Sequence, residues 1–359
     1  MSSLRPLERG DLPQVASLFK RVMRSGSRIP SAEIAAFLER TVLDHPWADP
    51  EIPSLVYADE HGRIQGFIGS HVRRMCFDGR PARMACAGHL IAAPEARKRA
   101  VGALLLRRYI NGPQDLTITD TGSAETRRMW AGLGGETATL ASISWTRVFR
   151  PCLLAAARRL ERHRTRAIGY PVRGLCSALD AVIVRAAGGL FRTEPPEVSA
   201  ETLTVEAFLG HFPELTGSIR LHPDYDPGYL KWLFEELPRS GYPGKLVKHL
   251  VRDGDRVLGS YLYYLQSGGI SRVLQILSRE RDLGRVLDHL LHDAESNGAA
   301  ALDGRVEPRL LESLWRRRCV LRYTGESLMH SREAEIIGAA LSRQALLTRM
   351  EGEWWSFPP

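Results

Sequence analysis

The apolar positions of the first 150 residues change their spacing several times, and each change predicts a new helix or strand. Residues 4–23 predict a short strand and then a helix, because Leu12, Val15 and Phe19 recur at helical spacing. A second helix is predicted from Ser31 onward. Short apolar runs separated by polar turns then predict an antiparallel meander. Its strands are residues 54–58, 64–72 and 84–93.

A basic loop follows the last strand of this meander. Pro94 ends the strand because proline has no N–H to donate to the ladder. Arg97, Lys98 and Arg99 then precede an apolar helical run that begins near Gly102. The free amides and positive dipole end of such a helix, together with three cationic side chains, suit a phosphate-bearing anion.

This loop resembles the pyrophosphate-binding segment of the GNAT acyltransferase superfamily, whose pattern is Arg/Gln-x-x-Gly-x-Gly/Ala. Here the pattern reads Arg97-x-x-Ala100-x-Gly102, and Pro94-Glu95 precedes it. Alanine in place of the first glycine adds a methyl group, which leaves a ligand less room to approach the backbone amides closely. The resemblance implies a GNAT domain over residues 1–148 that binds acetyl-CoA, or another acyl-CoA, without a metal. The cofactor-contacting residues that it implies are Leu90, Ile91 and Ala92 for the pantetheine arm, and Arg97, Lys98, Arg99, Ala100, Val101, Gly102 and Ala103 for the pyrophosphate.

A further strand at residues 115–119 and a helix capped by Ser123 are predicted after the loop. GNAT proteins commonly have Asn near the start of this helix and, near its end, a Tyr that protonates the departing thiolate. Ser123 and Trp130 stand at these two positions, so the resemblance assigns Ser123 to the cofactor site. An indole N–H is a hydrogen-bond donor and not a general acid, so we predict that Trp130 is a core aromatic residue.

Two side chains are candidates for the general base that amine acyl transfer needs. His89 lies at the mouth of the expected splayed strand, and an imidazole has a suitable unperturbed pKa. Asp120 ends the neighbouring strand. A lone His or Asp at a strand end also commonly has a structural role, and the sequence leaves both interpretations open.

Residues 149–200 predict a helical connector between two halves of the chain. Eight arginines and a single acid, Glu161, lie between Arg147 and Arg173. One interpretation is a pair of packed linker helices with a solvated basic face. The other is an amphipathic segment, residues 149–175, that makes a weak contact with an anionic membrane surface.

The second half, residues 201–359, repeats the order of the first. A hairpin near residues 250–262 leads to a strand and then to Arg279-x-x-Asp282-x-Gly284, where the first half has its basic loop. An acid among these amides would repel a pyrophosphate, so we expect this half to bind CoA weakly or not at all. The chain is therefore predicted to be α/β (α+β), with two GNAT-like domains that each have a mixed, mostly antiparallel sheet flanked by helices. Trp315 occupies the position that Trp130 has in the first half.

The segment between the halves is rich in aromatic residues. Tyr225, Tyr229 and Trp232 precede the second meander, where GNAT proteins commonly place acceptor-binding elements, so the resemblance makes them candidates for substrate binding. Helical spacing of Tyr229 and Trp232 is equally typical of a core face. The aromatic tail at residues 350–357 is predicted to dock on the second domain.

Composition narrows the class of protein further. The 359 residues are enough for two domains, and 44% apolar with 25% charged residues is ordinary for a globular protein. The N-terminus lacks a signal-peptide pattern, no apolar run approaches the ~20 residues of a membrane span, and five scattered cysteines suit the cytoplasm. We expect these cysteines to be mostly buried. The net charge of +8 favours anionic partners.

Together these features predict an acyl-CoA-dependent N-acyltransferase. The predicted reaction is acetyl transfer to a small-molecule primary amine, with an amino sugar or a polysaccharide precursor as candidate acceptors suggested by similar tandem proteins. No specific nucleic-acid partner is expected. Two alternatives are a non-catalytic GNAT-fold sensor or scaffold, which Ala100 and Trp130 favour, and a FemAB-type aminoacyl-tRNA-dependent transferase, whose tRNA the basic connector would bind.

Overall fold

The apolar runs of the sequence form two mixed sheets with flanking helices in a computed structural model, which describes residues 2–23, 29–163, 170–187 and 189–356. In chain order, the elements up to residue 148 are β1 (Ser3–Pro6), α1 (Leu12–Met23), α2 (Ser31–Leu38), β2 (Leu55–Ala58), β3 (Ile64–Phe77), β4 (Arg80–Ala92), α3 (Val101–Ile110), β5 (Leu116–Gly122), α4 (Ala124–Ala131), β6 (Glu136–Thr137) and β7 (Ile143–Val148). The later elements are α5 (Pro151–His163), α6 (Tyr170–Ala186), β8 (Ser199–Thr202), α7 (Val205–Thr216), β9 (Leu221–Pro223), α8 (Pro227–Glu236), β10 (Lys245–Asp253), β11 (Arg256–Leu265), β12 (Ile270–Ser278), α9 (Leu283–Ser296), β13 (Ala301–Arg305), α10 (Leu311–Arg316), β14 (Val320–Tyr323), β15 (Glu326–His330) and α11 (Ala334–Ala340).

The chain divides into two compact units that alternate along the sequence. The first unit comprises Met1–Ser142, Ile219–Gly241 and Gly325–Pro359, and the second comprises Ile143–Ser218 and Tyr242–Thr324. The predicted boundaries at residues 148 and 200 differ from this division. Apolar periodicity identifies a strand but not the sheet edge with which it pairs, so it could not assign β7 and β15 to their units.

The sheet of the first unit has the order β1-β2-β3-β4-β5-β15-β6, and β9 pairs with the end of β3. Its pairs are antiparallel except β4 and β5, which are parallel. The strand that ends the predicted first domain, β7, does not lie next to β5 in this sheet. That position belongs to β15, while β7 lies in the other sheet.

The sheet of the second unit has the order β14-β7-β13-β12-β11-β10-β8. Only β12 and β13 are parallel in it. Both sheets are therefore mixed and mostly antiparallel, and the predicted α/β class is confirmed.

A close approach between helix α3 and strand β3 holds the first unit together near the basic loop. Val101, Leu105 and Tyr109 are buried on the inner face of α3, in one apolar cluster with residues of α1 and α2. Gly66 on β3 permits this packing, since a Cβ there would lie 2.6 Å from Val101 and 2.8 Å from Leu105. The helix that follows the basic loop is therefore held tightly against the sheet.

The predicted connector contains the two helices α5 and α6, and its residues 164–169 lie outside the described part. Asp180 on α6 accepts hydrogen bonds from the first amides of α5, at Cys152 (2.7 Å) and Leu153 (3.0 Å). The outer side of α6 exposes five large apolar residues: Val172, Leu175, Leu179, Val182 and Ile183. None of the helices in the described residues is long and apolar enough to cross a membrane. The predicted contact with a membrane surface stays a prediction.

Candidate active site

A gap opens between β4 and β5 in the first unit. The two strands pair only from Met84 and Leu116 to Cys86 and Ile118. Beyond this point β4 continues along β3 as far as Ala92, and β5 continues along β15. The two strands therefore diverge, and Glu353 lies between them: a Cβ at Gly88 of β4 would be 3.4 Å from Glu353 Cβ, and Asp120 N of β5 donates to the Glu353 carboxylate at 3.0 Å. Residues 90–92 of β4 lie beyond this contact and can offer backbone groups to a ligand.

The basic loop lies at the end of β4, where the sequence places it. Residues 94–99 form a 3-10 turn, and Arg97, Lys98 and Arg99 are exposed. Ala100 takes the left-handed conformation, with φ of 52°. The first helical hydrogen bond of α3 runs from Leu104 N to Ala100 O at 3.0 Å, so the amides of residues 101–103 need partners from outside the helix.

Space beside this turn fits an anion. A Cβ added to Gly102 would meet only Met129 Sδ, at 4.0 Å, so this side of the helix start is open. The helix N-terminus and three exposed cations provide the donors and charge that a diphosphate requires. Ala100 supports the left-handed turn less well than glycine would, because a Cβ is crowded in this conformation.

His89 is buried instead of lying at an open mouth. It also has a left-handed backbone, with φ of 55°, beside a register shift between β3 and β4. Its ring packs 5.4 Å from Phe19 and 5.7 Å from His71, measured between centroids. Burial, together with the charges of His89 and Arg73, lowers the pKa of His71 well below its usual value. Catalysis by His89 stays a prediction.

Asp120 meets a carboxylate that sequence reasoning did not identify. The side chain of Glu353 accepts hydrogen bonds from Asp120 N at 3.0 Å, from Thr121 Oγ1 at 2.9 Å and from Thr119 Oγ1. Glu353 N donates in turn to Asp120 Oδ1 at 3.2 Å. Burial and the neighbouring Asp120 carboxylate raise the pKa of Glu353 well above its usual value. One proton shared between the two groups is the expected state of such a pair.

The C-terminal segment, residues 348–356, carries Glu353 into the first unit. Arg73 donates to Glu351 O at 3.1 Å, and Cys86 Sγ lies 3.0 Å from the same carbonyl. A Cβ at Gly352 would lie 2.2 Å from Asp120 Oδ2, so glycine is required there. The prediction that this tail docks on the second domain was wrong, because its polar partners, and not its aromatic residues alone, determine where it lies. Phe357 of the predicted tail lies outside the described residues.

The predicted substrate residues Tyr225, Tyr229 and Trp232 do come together. Tyr229 stacks on Trp47 with centroids 3.5 Å apart, and Trp47 Nε1 donates to Asp226 at 2.6 Å. Tyr229 and Trp47 are buried, whereas Tyr225 and Trp232 are half-buried. Tyr225 OH donates to Glu351, and Trp232 packs edge-on against Trp355.

This aromatic cluster therefore contacts the C-terminal segment. Tyr229 belongs to the core, and only Tyr225 and Trp232 have surface available to an acceptor. The role of all three in substrate binding stays a prediction.

Helix α4, which follows β5, has the predicted N-terminal cap and the predicted core aromatic residue. Ser123 Oγ accepts a hydrogen bond from Thr126 N at 3.1 Å and so caps α4. Trp130 is buried, and its indole donates to Met329 O at 3.0 Å, so the prediction of a core aromatic is confirmed. Ser123 is exposed, and its contact with a cofactor stays a prediction.

The second unit differs from the first at the equivalent positions. Asp282 is buried next to Arg256, which donates to it, and Arg281 lies 3.5 Å from its other oxygen. Trp315, near the end of α10, is 75% exposed, unlike its buried counterpart Trp130. A matching sequence position therefore does not give a matching environment.

The burial of the cysteines limits their chemical reactivity. Cys86 and Cys319 are buried, while Cys76, Cys152 and Cys176 are half-buried, so fewer cysteines lie in the core than the sequence predicts. Burial raises the pKa of Cys86 well above its usual value, which makes it a poor nucleophile. Among the described residues there is no group of three His, Cys, Asp or Glu arranged to hold a metal ion.

Sequence reasoning missed four residues of this site: Arg73, Glu351, Glu353 and Trp47. Two signals point toward them in retrospect. Arg73 lies in a strand between the apolar residues Val72 and Met75, and the two glutamates lie close to tryptophans in the tail. An acid or a base within such an apolar stretch is buried only with a partner, which identifies both segments as polar parts of the core.

Known structures share this architecture, although no family model and no curated protein sequence matches the chain. A GCN5-related N-acetyltransferase from Anabaena variabilis superposes with a TM-score of 0.59 at 12% identity, covering 92% of this chain and 73% of that one. A probable N-acyltransferase from Enterococcus faecalis gives 0.57 at 10% identity, with the same coverage. Saccharomyces cerevisiae N-myristoyltransferase with bound myristoyl-CoA gives 0.51 at 8% identity, over 91% of this chain and 81% of that one. The chain therefore has the GNAT fold of the N-acyltransferases.

Proposed function

We propose that the first unit is an acyl-CoA-dependent N-acyltransferase that acts on a small-molecule primary amine. The observation that carries this proposal is the gap between β4 and β5, which leads to open amides at residues 101–103. This arrangement combines a site for a diphosphate with the end of β4 that lies beyond its pairing with β5. The fold neighbours, which include a GCN5-related N-acetyltransferase and a probable N-acyltransferase, support the same class of reaction.

Different groups of the chain bind the phosphates and stabilise the reacting carbonyl. Arg97, Lys98 and Arg99 stabilise the charge of the phosphates, and the amide N–H groups at the start of α3 donate hydrogen bonds to the phosphate oxygens. Acyl-CoA, when bound, supplies the thioester whose carbonyl carbon the amine attacks. Backbone N–H groups of β4 in the gap stabilise charge on the carbonyl oxygen.

The Glu353–Asp120 pair is suited to take the proton of the attacking amine. In its ionised form Glu353 is a stronger base than a free carboxylate, because burial and the neighbouring Asp120 raise its pKa well above the usual value. The amine nitrogen forms its bond to the carbonyl carbon, the C–S bond breaks, and the thiolate leaves with a proton from water. His89 and Asp120 are retained as candidate bases, and Glu353 is added to them.

Calorimetry and thiol release test this proposal on the full chain. Acetyl-CoA is titrated first, and then free thiol is measured with a panel of primary amines that includes amino sugars. Longer acyl-CoA esters, up to myristoyl-CoA, define the chain length. We expect binding and amine-dependent thiol release.

Two matched glycine variants test whether the basic loop is responsible for acetyl-CoA binding. Gly102→Leu fills the open space beside the start of α3, while Gly338→Leu places the same side chain at an exposed glycine of α11, which has no atom within 4 Å of an added Cβ. We expect only Gly102→Leu to lose acetyl-CoA binding. An equal loss in both variants, or no binding by the unsubstituted protein, would refute the proposal.

The sensor alternative is favoured by one observation, since residues 348–356 lie against the same strands as the proposed substrates. Binding of acetyl-CoA without thiol release across the amine panel would support a sensor. Turnover with free acyl-CoA would argue against an aminoacyl-tRNA-dependent transferase.

A further inference from the structure

A cavity of about 640 Å³ in the second unit is lined largely by arginines. It lies between α9, the residues after α10, β7 and the segment 189–198. Its cationic residues are Arg147, Arg192, Arg285, Arg316, Arg317 and Arg318, and three carboxylates line it as well: Glu194, Glu197 and Asp288. The lining residues therefore carry six positive and three negative charges.

Half of these arginines are already paired with acids of the second unit. The pairs are Arg285 with Asp253 at 2.7 Å, Arg316 with Glu312 at 2.6 Å, and Arg317 with Asp288 at 2.6 Å. For Arg147, Arg192 and Arg318, no carboxylate among the described residues lies within ion-pair distance. These three form the charged part of the cavity that a ligand can use.

Arg147 provides the strongest reason to expect a ligand. Its residue is 7% exposed, its NH2 group donates to Arg192 O at 2.9 Å, and its Nε has no hydrogen-bond partner. Burial and the nearby Arg318 lower the pKa of Arg147, and Glu295 offsets this only in part. A guanidinium that is desolvated without a paired anion costs several kcal/mol, since protein contacts do not replace its hydration. An anion in the cavity would remove this cost.

The other two arginines reach the cavity from its rim. Arg318 follows α10 with a left-handed backbone, φ of 55°, which turns the chain sharply at the cavity. Arg192 belongs to the segment after α6, and both side chains are exposed. Guanidinium groups bind phosphate through paired N–H donors, and three of them around one space match a ligand with two or more negative charges.

We propose that this cavity binds a phosphorylated small molecule through Arg147, Arg192 and Arg318. Its volume exceeds that of a phosphate group alone and lies in the range of small-molecule sites, so the ligand has a body attached to its phosphate or diphosphate. The site is independent of the proposed acyltransferase activity, because all of its residues belong to the second unit.

Titration of the full chain with inorganic pyrophosphate tests this proposal. The basic loop of the first unit also attracts diphosphates, so the titration is made in an Arg97→Gln/Arg99→Gln background. Arg192→Gln/Arg318→Gln then removes two exposed cations whose loss leaves the core intact. Arg322→Gln, at an exposed position of β14 outside the cavity lining, is the charge-matched control.

We expect the double variant of the cavity to weaken pyrophosphate binding at least about tenfold, as loss of charge-assisted hydrogen bonds requires. Arg147→Met, which relieves the buried charge, is expected to abolish binding and to raise thermal stability. The proposal is overturned if the Arg97→Gln/Arg99→Gln protein does not bind pyrophosphate, or if Arg322→Gln weakens binding as much as the double variant. A dissociation constant unchanged by Arg192→Gln/Arg318→Gln would overturn it as well.

Discussion

The carboxylate pair of Glu353 and Asp120 predicts an unusual dependence of stability on pH. An acid whose pKa is raised in the folded state holds its proton there after the unfolded chain has lost it. The folded protein therefore loses stability as pH rises through the unfolded pKa of Glu, near 4.3, and continues to lose it up to the folded pKa. The loss amounts to about 1.4 kcal/mol for each pH unit of this interval.

Glu353→Gln removes this loss while keeping the shape of the side chain. An amide reproduces the protonated acid, because its oxygen accepts from Thr119, Thr121 and Asp120 N while its NH2 group donates to the Asp120 carboxylate. We expect the variant to match the unsubstituted protein near pH 4.5 and to be more stable above it, with the advantage growing at the slope given above. Amine-dependent thiol release should fall at the same time, since the amide cannot accept a proton.

Urea denaturation between pH 4.5 and 9 measures the effect. Glu351→Gln is the matched control, because Glu351 lies in the same segment and is equally buried, yet its substitution leaves the Glu353–Asp120 pair intact. Its variant is expected to lose stability and to keep the pH slope. If Glu353→Gln kept the slope of the unsubstituted protein, the inference of a shared proton would be refuted.

Three further predictions concern the loop, the aromatic cluster and the connector. Ala100→Gly should raise the free energy of unfolding by about 1 kcal/mol in urea denaturation, since glycine takes a left-handed conformation without crowding; a loss of stability would contradict this. Trp47→Ala should cost about 3–5 kcal/mol because Trp47 is buried, while exposed Trp315→Ala should cost about 0.5 kcal/mol or less; equal costs would refute the packing described. Leu175→Glu/Val182→Glu should abolish co-sedimentation with anionic vesicles if the outer side of α6 lies on membranes, and unchanged co-sedimentation would exclude that surface.

Local patterns in the sequence were sufficient for the elements around the basic loop. Pro94 and the cations after it predicted where β4 ends and α3 begins, and Ser123 predicted the start of α4. These signals work because proline, helix caps and helical spacing act within a few residues of one another. The core position of Trp130 followed from the same local reasoning.

Long-range pairing was beyond such signals. Strands β7 and β15 have ordinary apolar patterns, and nothing within them tells which of two parallel strand pairs they extend. The same limit applies to the tail, where Glu353 reaches Asp120 across 233 positions of sequence. The residues next to Asp120 or Glu353 in the sequence do not indicate that the two carboxylates meet.

The sequence by itself determined the mixed α/β class, the order of most helices and strands, and the position of the basic turn, because these depend on spacing, caps and charge within short segments. Only the tertiary structure decided which strands share a sheet, which carboxylate faces Asp120, and that Arg147 is buried without a paired anion. Those features depend on contacts between segments far apart in the chain, and their energies come from burial and desolvation, which no local pattern records.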